Sequence, residues 1–177
     1  MIETAEAAGT SGLIFEIGDG DSYVYRGNLI FDMVKTTVIR LAFAMARELR
    51  RKTVAAIALT PGFLRSEVML ERFGVTEANW PDAVKNNPDC AVSETPFYAG
   101  GAVAALAADP EVMEKSGRLF STWRLAEEYP LVDADGGRPH WGWHFEAKYG
   151  ETLKPCDEEF YSYWRGGPID TMFANWP

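Results

Sequence analysis

The order of elements in residues 12–59 constrains the fold of this chain more than any other feature. The apolar run 12–17 predicts a buried strand, and Gly-Asp-Gly-Asp at 18–21 predicts the turn that ends it. The segment that begins at Asn28 and ends at Lys52 has neither Gly nor Pro, and its apolar residues recur at helical steps of three and four. Residues 54–59 are continuously apolar, as in a strand buried within a parallel sheet. This strand–helix–strand order predicts an α/β fold.

The rest of the chain predicts a second helix, a third strand and an irregular end. Ser93 or Thr95, followed by Pro96, has the composition of a helix start, and the helix should end before Asp109. Residues 119–122 would form the third strand, which gives the order β-α-β-α-β. The segment between the second strand and Ser93 is long for a connection, so we expect a functional lid with a short helix within 63–73.

The composition changes from residue 136 onward, where aromatic residues lie among Gly, Pro and charged residues without clean periodicity. We therefore divide the chain into a domain of residues 1–137 and an aromatic-rich extension of residues 138–177. The extension is expected to be an irregular tail that packs on the domain or on a partner subunit. His140 and His144, with Glu146, would suit a metal only if they were helical, and Gly142 between two tryptophans argues against a regular helix.

Charge and cysteine content exclude several classes of function. The net charge of −9, from 26 acidic and 17 basic residues, disfavours nucleic acid as a partner. No apolar run is long enough to cross a bilayer, and the acidic start lacks the order of a signal peptide. Cys90 and Cys156 lack metal-site spacing, so we expect two reduced thiols in a cytoplasmic protein, although a disulfide stays open.

Two short motifs lie where an α/β protein binds its ligand. Phe31 and Lys35 are four residues apart near the start of the long helix and so share a face. Taken alone, this pair is more simply explained as a core phenylalanine and a solvated lysine. Pro61-Gly62 directly follows the second buried strand, at the end where open α/β sheets bind ligands. A turn that only ends the strand is the simpler explanation of Pro61-Gly62 taken alone.

In this order and spacing the motifs resemble the short-chain dehydrogenase/reductase family. The family has Tyr-x-x-x-Lys at the head of a long helix, then a strand, then Pro-Gly with Thr or Ser four residues beyond the glycine; here the positions hold Phe31, Lys35, Pro61-Gly62 and Ser66. Residues 93–106 and 109–117 resemble the family's final helix and strand, so the resemblance spans about residues 10–137. It implies part of a Rossmann-like, three-layer parallel sheet and NAD- or NADP-dependent interconversion of an alcohol and a carbonyl.

The resemblance also implies roles for individual residues. In the family, the lysine binds the nicotinamide ribose and activates the tyrosine, which exchanges a proton with the substrate oxygen, while an earlier serine holds that oxygen. Lys35 therefore takes the ribose-binding position, with Phe31 at the tyrosine position and Gly18 near the serine position. The cofactor-binding loop corresponds to Pro61, Gly62, Leu64 and Ser66.

Three departures from the family pattern weaken the expected catalysis. Phe31 has no hydroxyl group, and neither Tyr23 nor Tyr25 has a lysine four residues later. Gly18 has no side-chain hydroxyl either, although Ser22 follows closely. The glycine-rich turn that cradles the cofactor pyrophosphate does not precede the first strand.

We therefore expect a truncated, catalytically impaired oxidoreductase of this family, acting if at all on a small-molecule alcohol or carbonyl. The alternative is a non-catalytic interaction or regulatory subunit. Such a subunit would associate with a full-length relative, or with a second copy of itself, through the helix from Asn28 to Lys52. Without the strands that precede it in the family, the first strand would be a sheet edge with unpaired backbone groups, which also favours association.

Overall fold

The computed structural model describes residues 1–22 and 25–150. Five strands and six α-helices are assigned within them. In chain order they are α1 (Ile2–Ala8), β1 (Gly12–Ile17), α2 (Leu29–Leu49), β2 (Val54–Thr60), β3 (Phe63–Leu64), α3 (Glu67–Phe73), β4 (Ser93–Glu94), α4 (Pro96–Ala108), β5 (Leu119–Ser121), α5 (Thr122–Glu128) and α6 (Trp141–Tyr149). Short 3-10 helices lie at Trp80–Lys85, Pro88–Val92 and Val112–Lys115.

The main sheet has three parallel strands in the order β1-β2-β5. β2 is central, and all seven of its residues are buried because strands and helices cover it on every side. β1 pairs with β2 along its six residues, and β5 pairs with the last three residues of β2. The predicted α/β fold with a parallel sheet is confirmed.

Helices cover both faces of this sheet, which makes three layers. On one face, Ile39 and Ala42 of α2 pack against Ala58 of β2, where small side chains allow a close approach of helix and strand. On the opposite face, Ile57 and Leu59 of β2 join a larger core cluster with α4 and α5. Alternate side chains of β2 thus pack into the helical layers on the two faces of the sheet.

The long helix α2 begins and packs as its sequence predicts. The Asn28 side-chain oxygen accepts a hydrogen bond from the Phe31 amide at 3.0 Å, which caps the first turn. The helix then runs for 21 residues to Leu49, and its buried residues are Ile39, Ala42 and Ala46. These three fall on one stripe, so a single face of α2 meets the sheet.

The connection from Gly62 to Thr95 is more ordered than we predicted. The expected short helix is present as α3, but β3 and β4 also pair in parallel as a second, two-stranded sheet, which the sequence did not indicate. Between them, two 3-10 helices and α3 surround a small apolar cavity lined by residues such as Phe63, Met69 and Cys90. The connection therefore holds more regular structure than the expected short helix, and its role as a functional lid stays a prediction.

The prediction that residues 140–144 would not be helical is also wrong. Trp141–Tyr149 forms α6, and the His140 ring accepts a hydrogen bond from the Trp143 amide at 3.1 Å, which caps it. The Trp141 ring stacks on Phe63 with 6.1 Å between centroids, so tertiary packing outweighs the low helix propensity of Gly142. The remainder of the predicted irregular tail, from residue 151, lies outside the described residues.

Membrane-spanning helices, metal sites and disulfides can be assessed over the described ranges, 1–22 and 25–150. None of the helices there is long and apolar enough to cross a membrane. Those ranges also hold no group of three His, Cys, Asp or Glu side chains placed to bind a metal ion. Cys90 is buried and forms no disulfide, and Cys156 lies outside the described part of the chain.

Candidate functional site at the carboxyl edge of the sheet

The carboxyl ends of the three parallel strands bring their loops together at one edge of the sheet. The Gly18 amide, just after β1, donates to the Leu59 carbonyl at 2.8 Å. The Gly20 amide donates to the Thr60 hydroxyl at 2.7 Å, and Thr60 ends β2 directly before Pro61. The predicted site positions Gly18 and Pro61-Gly62 therefore lie at the same edge.

Helix α2 forms one side of this edge, which we call the helix side and define by Phe31 and Lys35. Lys35 is four and seven residues before Ile39 and Ala42, so it continues their sheet-facing stripe toward the start of the helix. A Cβ atom at Gly18 would lie 3.8 Å from the Val38 side chain, so the end of β1 meets α2 one turn after Lys35. The predicted lysine, glycine and turn thus approach the same edge of the sheet.

The Lys35 ammonium group has an unusual environment for a half-buried cation. Its Nζ lies 5.5 Å from the centroid of the Phe31 ring, a cation–π contact. No carboxylate within residues 1–22 and 25–150 is in ion-pair distance of it. Among the described residues, the amine therefore contacts an aromatic ring and no carboxylate.

Phe31 lies where the resemblance implies a tyrosine, and the residue is 43% exposed. The side chain carries no ionisable group, so it cannot transfer a proton. Tyr25, the nearest described tyrosine in sequence, is exposed, while Tyr23 lies outside the described residues. The helix side thus presents an amine and an aromatic ring without a hydroxyl group.

The opposite side, which we call the turn side, comprises Pro61, Gly62, Glu94 and Thr122. The Glu94 side chain is fully buried, and its Oε2 accepts hydrogen bonds from the Gly62 amide at 3.0 Å and the Thr122 hydroxyl at 2.8 Å. Pairing of β3 with β4 places Glu94 there, since Leu64 is its partner in register. A buried carboxylate therefore lies directly against the Pro61-Gly62 turn.

Burial dominates the electrostatics of the turn side. It raises the pKa of Glu94 to about 7, although the hydrogen bonds from Thr122 and Gly62 oppose the shift and repulsion from Asp133 adds to it. Burial, together with the charges of Glu94 and Asp133, raises the pKa of Tyr98 to about 12. Protonation of Glu94 near neutral pH would thus remove its charge repulsion with Asp133 and its contribution to the raised pKa of Tyr98.

A second buried carboxyl group lies at the end of β5. Burial raises the pKa of Asp21, while the Arg124 guanidinium, with Nε 3.2 Å from Oδ2, and the Ser121 hydroxyl oppose that shift. Asp21 is only 2% exposed. The loop after β1 is therefore held against β5 as well as against β2.

Arg65, within the predicted cofactor loop, anchors the turn side to the rest of the domain. Its guanidinium is buried and lies 2.7 Å from Asp135 and 3.2 Å from Glu77, with Cζ 4.1 Å from the centroid of the Trp80 ring. The Arg65 amide also donates to the Glu94 carbonyl at 2.8 Å. Sequence reasoning missed both Arg65 and Glu94, because a charged residue in a polar connection is usually solvated.

Leu64 and Ser66, the neighbours of Arg65 in sequence, each have a structural role. Leu64 is half-buried in β3, and the Ser66 hydroxyl accepts a hydrogen bond from the Met69 amide at 3.4 Å, which caps α3. Their binding to a cofactor, like that of the other predicted site residues, stays a prediction.

The histidines of the extension are engaged separately. His140 Nε2 lies 2.9 Å from Glu127, and His144 Nε2 lies 2.8 Å from Asp89, which also binds Lys148 at 2.6 Å. The two rings share no carboxylate among these contacts. Among the described residues, these contacts therefore hold the two rings to different carboxylates.

Comparison with known proteins gives two curated relatives of the same name. Dehydrogenase/reductase SDR family member 1 of Mus musculus is 34% identical over 127 residues, which cover 71% of this chain and 40% of the relative. The Homo sapiens protein is 33% identical over 126 residues, with the same coverage of 71% and 40%. The chain thus spans 40% of the length of the curated relatives it matches. No family model matches it.

Similar solved structures include two nucleotide-bound enzymes. One is an NADPH-bound carbonyl reductase from chicken fatty liver, with a TM-score of 0.47, 16% identity, and coverage of 80% of this chain and 48% of that one. The other is a gluconate 5-dehydrogenase from Burkholderia cenocepacia J2315 in complex with NADP and tartrate. It has a TM-score of 0.48, 21% identity, and coverage of 67% and 46%.

Proposed function

Because the chain belongs to the short-chain dehydrogenase/reductase family, we propose that its carboxyl edge contributes to a nicotinamide-cofactor site for the interconversion of an alcohol and a carbonyl. The observation that supports this most is the convergence of Lys35, Gly18 and Pro61-Gly62 at one edge of the sheet. Ligands of open α/β sheets bind at that edge.

The residues at this edge suit a dinucleotide. The Lys35 ammonium is paired with no carboxylate of the described residues, so its donors can reach ribose hydroxyls or a phosphate. The backbone of the Pro61-Gly62 turn, with Leu64 and Ser66 beyond it, would border the nicotinamide and the pyrophosphate. The cofactor, NAD or NADP, would supply or accept the hydride. A cytoplasmic location is part of this proposal.

Proton transfer is the step at which this chain is impaired. Phe31 has no hydroxyl group, and Gly18 offers none where the family holds the substrate oxygen. General acid–base catalysis contributes about 10²–10⁴ in rate, so turnover of a small alcohol or carbonyl should be low even where the cofactor binds. The proposal is thus a cofactor-binding protein with weak oxidoreductase activity.

Titration with NADPH and NADH, followed by tryptophan fluorescence, tests cofactor binding. We expect saturable binding with Kd near micromolar, weakened about tenfold or more by Lys35→Ala. Lys52→Ala, an exposed lysine just past the end of α2, is the matched control and should leave Kd unchanged. Absence of saturation, or equal weakening by both variants, would contradict the proposal.

Restoring the missing hydroxyl tests the impairment. Phe31→Tyr should raise turnover by about 10² at unchanged cofactor affinity, because the new phenol lies beside Lys35. Phe31→Leu is the control, since it changes the ring without adding a hydroxyl. A Phe31→Tyr variant that binds NADPH and turns over no faster than the parent would show that another group limits the reaction.

A second candidate function is a non-catalytic interaction subunit, which the surface of α2 favours. Several large apolar side chains of that helix are 45% or more exposed: Leu29, Ile30, Met33, Val34 and Leu41. We propose that a second copy or a full-length relative covers them. Concentration-dependent sedimentation abolished by Val34→Lys, but not by Val68→Lys on α3, would favour this candidate, and a monomer at all concentrations would remove the self-associating form of it.

A further inference from the structure

The buried carboxyl group of Glu94 has no role in the function proposed above, although it touches the turn that function depends on. Its side chain is 0% exposed and belongs to the two-residue strand β4. Burying a carboxyl group costs free energy unless hydrogen bonds compensate for it. The two donors that it finds are Gly62, in the turn after β2, and Thr122, at the start of α5.

We propose that Glu94 is a positioning residue, which fixes the shape of the Pro61-Gly62 turn through its hydrogen bond with the Gly62 amide. This inference rests on the proposed function, because it assumes that the turn borders the cofactor. Glu94 itself would touch neither the cofactor nor the substrate. It would act through Gly62.

The geometry makes Glu94 the direct support of the turn. Pro61 has no amide hydrogen, so Gly62 carries the first backbone donor after β2, and Glu94 accepts from it at 3.0 Å. A Cβ atom at Gly62 would lie 3.0 Å from Glu94 Oε2, so the carboxylate is packed against the backbone itself. The same oxygen accepts from Thr122, which links the turn to the start of α5.

The surroundings make this support sensitive to protonation. Asp133, in the loop after α5, repels the ionised form of Glu94, and Tyr98 of α4 lies close enough to respond to both charges. Asp133 in turn lies 4.0 Å from the Arg65 guanidinium and accepts from the Thr95 amide at 2.8 Å. The Gly62 hydrogen bond should therefore be stronger when Glu94 is ionised and weaker when it is protonated.

Nuclear magnetic resonance of the Gly62 amide tests the support without any cofactor. In the parent protein the Gly62 amide shift should titrate with a midpoint near the pKa of Glu94, about 7, and Glu94→Gln should abolish that titration. Glu94→Ala should speed hydrogen exchange at Gly62 by about tenfold or more. A Gly62 amide that does not titrate in the parent protein would overturn the proposal, and so would exchange unchanged by Glu94→Ala.

Cofactor affinity then tests the consequence for function. Glu94→Gln keeps a carbonyl acceptor and should hold the NADPH Kd at pH 8 within about threefold, whereas Glu94→Ala should weaken it about tenfold or more. Glu71→Gln, an exposed residue of α3, is the control for lost charge and should have no effect. If the parent protein fails to bind NADPH, the proposed function fails while the Gly62 amide still decides the role of Glu94. If NADPH binds equally well to the parent and to Glu94→Ala, the positioning role fails alone.

Discussion

The two sides of the carboxyl edge are built in opposite ways. The turn side is buried and hydrogen-bonded: Gly62, Thr122 and Glu94 contact one another directly, and Arg65 ties their segment to the loop at Asp135. On the helix side, the Lys35 amine lies over the ring of the half-exposed Phe31 and pairs with no carboxylate of the described residues. One side is shaped within the chain, and the other leaves its groups open.

This difference shows where each side obtains its stability. The turn side depends on charges in a region of low dielectric, so removing one partner should cost much free energy. The helix side depends on capping and on packing of one α2 face, so changes to its exposed face should cost little unless something covers it. The variants below test that contrast, from the largest expected effect to the smallest.

Arg65→Ala should be the most damaging. It removes the buried partner of Asp135 and leaves Asp133, 4% exposed, without a nearby guanidinium, so we expect a loss of about 3–5 kcal/mol in the free energy of unfolding. Urea denaturation measures it. Arg72→Ala, on the exposed face of α3, is the matched control and should change stability by less than about 0.5 kcal/mol. Equal losses in both variants would contradict the stabilising role of the buried contacts of Arg65.

Glu94 should make stability fall as the pH rises. Its pKa is raised from 4.5 to about 7 in the folded protein, so between these values the folded state binds more protons than the unfolded state, and stability declines with increasing pH. The full loss would be on the order of 3 kcal/mol above pH 7.

Glu94→Gln removes this titration. Stability of the variant, measured by urea denaturation from pH 5 to pH 8, should lack this decline and exceed that of the parent at pH 8. Glu71→Gln should keep the parent profile, because Glu71 is exposed on α3. A parent profile without any decline in this range would mean that the turn side is more solvated than its burial indicates.

Asn28→Ala tests the local basis of the helix side. Loss of the cap on the Phe31 amide should cost about 1 kcal/mol, because an amide of the first helical turn loses its acceptor. Thermal unfolding measures it, and Asn28→Asp, which keeps an acceptor, should restore most of the loss. If Asn28→Ala lowers the free energy of unfolding as much as Arg65→Ala does, single changes on the helix side are not less destabilising than changes near the turn side.

Val34→Ser should have the smallest effect on an isolated chain. The side chain is 56% exposed on α2, so we expect a change within about 0.5 kcal/mol in unfolding free energy. The same measurement at high protein concentration sharpens the comparison. A loss that grows with concentration would show that a second copy covers this face of the helix.

Sequence patterns predicted the elements that have an unbroken apolar run or a clear helical period. The run 54–59 and the uninterrupted helix before it are β2 and α2, and Thr95 and Pro96 start α4 as expected. These elements follow from periodicity and capping, which are local properties. The convergence of Gly18 and Pro61 at one edge followed from the parallel order of the strands.

The parts that sequence reasoning missed depend on contacts between distant residues. Glu94 is buried because Leu64, thirty positions earlier in the chain, pairs with it, and no local pattern records that pairing. α6 forms although Gly142 disfavours a helix, because Trp141 packs on Phe63. In both cases tertiary packing overrides local propensity.

The packing around Gly62 also determines the direction from which a small molecule can approach. The volume where a side chain would be is filled by Glu94, Trp141 and Trp123, with the nearest atoms at 3.0, 3.3 and 3.7 Å from an added Cβ. Side chains of β4, α5 and α6 therefore fill that flank of the glycine. A small molecule can therefore contact Gly62 only on the side opposite these three side chains. The entrance to this edge of the sheet accordingly faces away from α6.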